Sequence, residues 1–240
     1  MRATVGLFVI GVALLATPAL AQSAKPTPAV SKFLQPGDLD PALILPPPPK
    51  DDDPAAVEGR AELHRLAASR TPERLEQAKA DDGHYDVTAI AAPLGPAFSL
   101  ERFPKTAQLF ADLRVEDSLA AKQAKAVFKR SRPFEIDGKA LDVCDDAHDS
   151  KNSYPTGHAT MAYAASAVLA NLMPGNAQVI LAHATDYAES RLYCGVHYRS
   201  DLEAGHVLGV ALVQVLMTKP AFKAELEAAR AELTAAHIAP

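Results

Sequence analysis

From residue 54 onward the apolar residues recur at helical spacing, and the breaks between them are helix punctuation. A chain of this kind can bury its apolar surface only by packing helices together. Asp51-Asp52-Asp53-Pro54 has the form of a helix start, an aspartate cap followed by proline in the first turn. Thr71-Pro72 repeats that form, and Asp81-Asp82-Gly83 ends the segment it opens. The pattern predicts helices over residues 55–69, 72–82, 85–92, 104–129, 156–173, 177–193, 202–217 and 221–236. Leu109, Leu113, Leu119, Val127 and Phe128 are the expected core positions of the long 104–129 helix. Ser200-x-x-Glu203 reads as the capping box of the 202–217 helix. Residues 93–96 and 134–153 read as loops, the second polar and irregular. No segment alternates as a strand would, and alanine is abundant while β-branched residues are sparse. The expectation is an all-α, single-domain helical bundle over residues 55–240.

The segment before the bundle is different. Residues 22–54 are proline-rich, with Pro46 to Pro49 consecutive, so they are expected to run extended as an arm. Phe33, Leu34, Leu43, Ile44 and Leu45 give that arm apolar side chains with which to pack on the body. Residues 1–21 have the form of a signal peptide: Arg2, an apolar stretch over 5–16, and the small-x-small site Ala19-Leu20-Ala21. The expected product is periplasmic or secreted, cut near Ala21. In an oxidising compartment the two cysteines, Cys144 and Cys194, read as one disulfide; the alternative is two buried thiols. The net charge of -5 and the lack of a basic block argue against nucleic acid as a partner. The apolar stretches 159–173 and 207–217 are shorter than a bilayer span of about 20 residues, so no membrane span is expected.

Three stretches carry candidate chemistry. His197 and Asp201 are four residues apart, close enough for the carboxylate to fix the imidazole tautomer and leave one lone pair free to attack. Arg191 adds a planar cation suited to a phosphate or a carboxylate. Lys125 and Arg132 are separated by six residues, so they can fall on one side, and Pro133 biases Arg132 toward extended backbone. The alternative for this stretch is a solvated basic face, since Lys122, Lys129 and Arg130 lie nearby. Thr156-Gly157-His158 opens an apolar helix, with Thr156 a natural cap and Gly157 leaving room beside the backbone. The first N–H groups of such a helix bind anions, and His158 would hang beside a bound phosphate. Cys/His metal spacings are absent, and no cofactor is expected. The remaining histidines (His64, His84, His148, His183, His206 and His237) carry no usable spacing, although His148 lies in the 134–153 loop.

Taken in order, Lys-x6-Arg-Pro, Pro-Thr-Gly-His and Ser-Arg-x5-His-x3-Asp resemble the signature of PAP2-type acid phosphatases, shared with vanadium haloperoxidases. The four-proline arm, residues 153–158, residues 194–201 and Pro220-Ala221-Phe222 extend the likeness to the secreted class A bacterial non-specific acid phosphatases. Thr156 stands where that family usually has serine, Asn152 where glycine is usual and Ala159 where threonine is usual.

The resemblance implies a metal-independent acid phosphatase acting on phosphomonoesters such as nucleotides, sugar phosphates and aryl phosphates. His197 would be the nucleophile, Asp201 its orienting partner and His158 the general acid. Lys125, Arg132, Thr156, Gly157 and Arg191 would hold the phosphate. An acceptor alcohol in place of water would give phosphotransfer, and a homodimer is implied. The rival readings are a vanadate-dependent haloperoxidase using the same anion cage, a lipid phosphatase, and a non-catalytic periplasmic phosphate-binding protein.

Overall fold

The computed structural model describes residues 29–144 and 152–239. The expected signal peptide, residues 22–28 of the arm, and His148 lie outside the described residues. The helices are α1 (Pro41–Ile44), α2 (Pro54–Ser69), α3 (Pro72–Gly83), α4 (Val87–Ala91), α5 (Pro104–Phe128), α6 (Pro133–Asp137), α7 (Gly157–Leu172), α8 (Ala177–Tyr193), α9 (Arg199–Leu216) and α10 (Pro220–Ala235). There is no strand among the described residues. Proline stands first in α1, α2, α3, α5, α6 and α10, where its missing N–H has no helical partner to lose. Thr71 accepts from the Arg74 N–H to cap α3, and Asp86 accepts from the Thr88 N–H to cap α4.

Helix α7 is the axis of the bundle. Its Ala159, Ala162, Ala164, Val168, Leu169 and Leu172 are buried, and α5, α8 and α9 pack around it. The approach of α9 is closest because two glycines face α7. A Cβ on Gly205 would lie 2.8 Å from the Ala159 Cβ and 2.9 Å from the Thr156 carbonyl. A Cβ on Gly209 would lie 2.5 Å from the Thr160 carbonyl oxygen, which is helix backbone and cannot swing aside. This crossing sets the start of α9 beside the start of α7, where the candidate site forms. Gly209→Val is therefore expected to lower stability by about 3 kcal/mol through overpacking, measured by urea unfolding.

Several expectations are corrected. The arm is not wholly extended: residues 41–44 make one helical turn capped by Asp40, because proline fits the first turn of a helix. The arm does dock, through buried Phe33, Leu39 and Leu45, but Leu43 is 86 % exposed. Phe33 sits edge-on to Phe222 of α10 at 5.4 Å. The Lys32 and Phe33 N–H groups donate to Glu116, buried on α5. Val127 is 49 % exposed instead of core, since α5 turns that face outward in its last turn. Residues 133–140 form α6 and a 3-10 turn instead of irregular loop. Helix α9 begins at Arg199, three residues before the expected start, so Ser200 and Glu203 are not its capping box. Among the described residues no single helix is long and apolar enough to cross a membrane; α9 and α10 pass that test only together, across a 95° bend.

Candidate active site

His197 lies in the turn between α8 and α9 and is buried. The chain reverses there at Gly195, whose φ of +68° suits a residue without a Cβ. The disulfide between Cys144 and Cys194 ties the same turn to the segment after α6. Asp201 is the third residue of α9 and accepts the Tyr198 N–H at 2.9 Å. The same oxygen, Oδ2, accepts from the Ser153 hydroxyl at 2.5 Å and lies 3.3 Å from His197 Nδ1. The other oxygen, Oδ1, accepts from Arg130 Nη1 at 2.7 Å.

On the far side of the ring, Arg132 Nη1 lies 3.0 Å from His197 Nε2. A guanidinium can only donate, so Nε2 carries the lone pair and Nδ1 carries the proton that faces Asp201. Arg132 is positioned by local sterics: it precedes Pro133, takes the extended conformation (φ -77°, ψ 155°), and also donates to the Val196 carbonyl at 2.8 Å. Burial holds His197 well below the usual histidine range, and the charges of Arg132, Arg191, Lys125 and His158 push the same way. Candidate residues of all three stretches thus act on a single imidazole.

Arg191, in the last turn of α8, is buried and pairs through Nη1 with the Asp82 carboxylate at the end of α3. His158 Nε2 lies 3.3 Å from the Asp82 carbonyl oxygen and 3.9 Å from its Oδ1. The His158 ring stacks on Tyr85 with centroids 4.4 Å apart. Tyr85 is itself covered by the Arg114 guanidinium at 3.7 Å. A Cβ on Gly157 would fall inside contact distance of the Tyr85 hydroxyl, so only glycine leaves this stack undisturbed.

Thr156 occupies the N-cap position of α7, but its hydroxyl does not cap the helix. That hydroxyl is buried and has no hydrogen-bond partner, and neither has Arg191 Nε. Its N–H is held by the Asp201 carbonyl at 3.1 Å. The first N–H groups of α7 have no helical acceptor, and the Thr156 hydroxyl stands beside them. Unpartnered buried donors beside a cluster of cations are what a bound oxyanion would satisfy.

Sequence reasoning missed four contributors. Arg130, read as part of a solvated face, is buried against Asp201 because Lys129 turns the chain in the left-handed region (φ +50°) at the end of α5. Its signal was available: residues two apart on extended backbone point to the same side, and Arg132 was already a candidate. Ser153, Asp82 and Tyr85 left no comparable local signal, since each joins the site through contacts distant in the chain.

The family model described as PAP2 superfamily matches residues 115–224, the span that holds all of these site residues except Asp82, Tyr85 and Arg114. A non-specific acid phosphatase of Providencia stuartii is 33 % identical over 171 residues, 68 % of this chain and 68 % of that one. The chain belongs to the PAP2 superfamily. Within it, the chain sits with the acid phosphatases and is an enzyme of that kind. The Salmonella typhi non-specific acid phosphatase is 31 % identical over 167 residues, 67 % of this chain and 66 % of the relative. This PAP2 chain also shares its fold with a bacterial vanadium-dependent iodoperoxidase of known crystal structure. The TM-score is 0.55 at 17 % identity, covering 73 % of this chain and 52 % of that one. At that identity the likeness concerns the fold alone.

Proposed function

We propose that this PAP2 phosphatase hydrolyses phosphate monoesters through a phosphohistidine on His197. The observation that supports this most directly is the His197 ring itself. It is buried, oriented from Nδ1 by Asp201, and presents the Nε2 lone pair toward Arg132. In the first step Nε2 attacks phosphorus, the P–O ester bond breaks, and His158 gives its proton to the departing oxygen. In the second step water attacks phosphorus, His158 takes its proton, and the P–N bond breaks with its electron pair returning to Nε2. Arg132, Arg191 and Lys125, with the Thr156 hydroxyl and the first N–H groups of α7, stabilise charge on the equatorial oxygens. Phosphoryl transfer asks for little beyond such alignment and charge. Phosphate would replace the Asp82 carboxylate as the partner of Arg191. An acceptor alcohol taking the place of water would give phosphotransfer.

The same reading places the enzyme in the periplasm or outside the cell as a homodimer. The Cys144–Cys194 bond supports an oxidising compartment, and sedimentation would test the dimer.

The test is hydrolysis of p-nitrophenyl phosphate, with and without EDTA, together with quench-trapping of labelled enzyme. The expected result is turnover that survives the chelator and an acid-labile, alkali-stable phosphoryl label on histidine. Turnover lost to EDTA and restored by added metal would overturn the metal-independent mechanism. Halide oxidation with vanadate and no phosphate release would favour a haloperoxidase, and phosphate binding without turnover a binding protein.

A further inference from the structure

The candidate roles above leave Arg130 without one, yet it is among the most deeply placed cations in the chain. It is 5 % exposed, and its carboxylate partner among the described residues, Asp201, is fully buried. Nη1 donates to Asp201 Oδ1 at 2.7 Å and to the Ser200 hydroxyl at 2.8 Å. The guanidinium carbon lies over the Tyr198 ring, 3.8 Å from its centroid, a cation–π contact that helps hold the side chain in place. Its own carbonyl accepts the Ser153 N–H at 3.1 Å, and the Ser153 hydroxyl in turn donates to Asp201. The division of labour on the carboxylate is clean. Oδ2 serves His197, Ser153 and the Tyr198 N–H, while Oδ1 serves Arg130.

This arrangement bears on a conflict in the chemistry. Hydrolysis at acid pH needs His158 protonated and His197 neutral at the same time. A carboxylate beside an imidazole ordinarily makes the imidazole more basic, which would protonate the nucleophile in the working range. We propose that Arg130 is a positioning residue that neutralises Asp201, so that the carboxylate orients His197 without drawing a proton onto the pair. The proposal rests on the His197 nucleophile reading and deepens it. The other charged groups facing the ring are Arg132 before α6, Arg191 on α8, Lys125 on α5 and His158 on α7. All oppose its protonation, so among the described residues Asp201 is the charged group in contact with the ring that favours it. Burial pushes the Asp201 carboxyl above its ordinary range, and the Arg130 charge, the Ser153 hydroxyl and the Tyr198 N–H oppose that rise.

Because His197 and Asp201 share one proton equilibrium, the acid limb of kcat/KM reports the pair. Removing a cation from its side must raise its affinity for a proton. Arg130→Met is expected to move the acid limb to higher pH by about 1–3 units, the range for loss of a close opposite charge. Activity should recover partly as pH rises. Arg130→Lys keeps the charge and should keep the limb near its parent position even where kcat falls. An Arg130→Met enzyme that is slower at every pH but has an unmoved limb would reduce Arg130 to a packing residue. Should that variant not fold, nitrogen NMR of the labelled histidines in the parent decides. His197 gaining a second proton at or above the unperturbed value of about 6.5 would overturn the proposal. Trapping separates the two levels: no phosphohistidine on the parent sinks the nucleophile reading. A labelled Arg130→Met with an unmoved limb sinks only this one.

Discussion

His197→Ala retains no more than about one part in 10⁴ of the parent kcat and takes up no phosphoryl label. The size follows from what the ring alone supplies. His197 Nε2 is oriented toward the cation cluster, and the ring is held there by Asp201 and Ser153. The cations and the α7 N-terminus remain in the variant, so phosphate affinity should change little while turnover collapses. That split between binding and turnover is the signature to measure, by phosphate inhibition alongside rapid-quench labelling. A stable acid-labile label on His197→Ala would place the nucleophile elsewhere. Because the ring is buried, the comparison requires that the variant unfold in urea near the parent midpoint.

His158→Ala should divide substrates by their leaving groups. An alkyl phosphate must depart as a poor alkoxide unless a proton reaches it, so its kcat/KM should fall about 10²–10⁴-fold. Nitrophenolate leaves without help, so p-nitrophenyl phosphate should lose about tenfold or less in its phosphorylation step. Equal losses on both would argue against the acid role. The pH profile carries a second check. The acid is active when protonated, so the parent's rate falls as pH rises through its titration. That alkaline limb should vanish for p-nitrophenyl phosphate in His158→Ala, while the acid limb, which belongs to His197 and Asp201, stays. The stack of His158 on Tyr85 and its contacts with Asp82 explain how a half-buried ring keeps one orientation.

The helices were legible because their signals are local. Proline in a first turn, a threonine or aspartate cap, and apolar residues every three to four positions act through neighbours in the chain. Thr71-Pro72 opened a helix where such a signal stood. The start of α9 shows how a local rule fails. Ser200-x-x-Glu203 and Tyr198-x-x-Asp201 offer competing frames, and Ser200 is by propensity the better cap. The Tyr198 frame wins because Asp201 is buried and needs the Tyr198 N–H among its donors. Thr156 fails as a cap for a related reason. Its N–H is held by the Asp201 carbonyl and its hydroxyl is left without a partner.

By sequence alone, this chain's helical class was determined, because it depends on residue type and short spacing, and its ordered motifs named the candidate nucleophile, acid and three anion-binding cations that the proposed function uses. Only the tertiary structure decided that Arg130 is buried on Asp201, that Asp82 reaches Arg191, and that Tyr85 braces His158. Each of those contacts joins residues 70 or more positions apart. Their existence depends on the close crossing of α7 and α9 and on where α3 docks, and pairing at that range leaves no mark in local spacing.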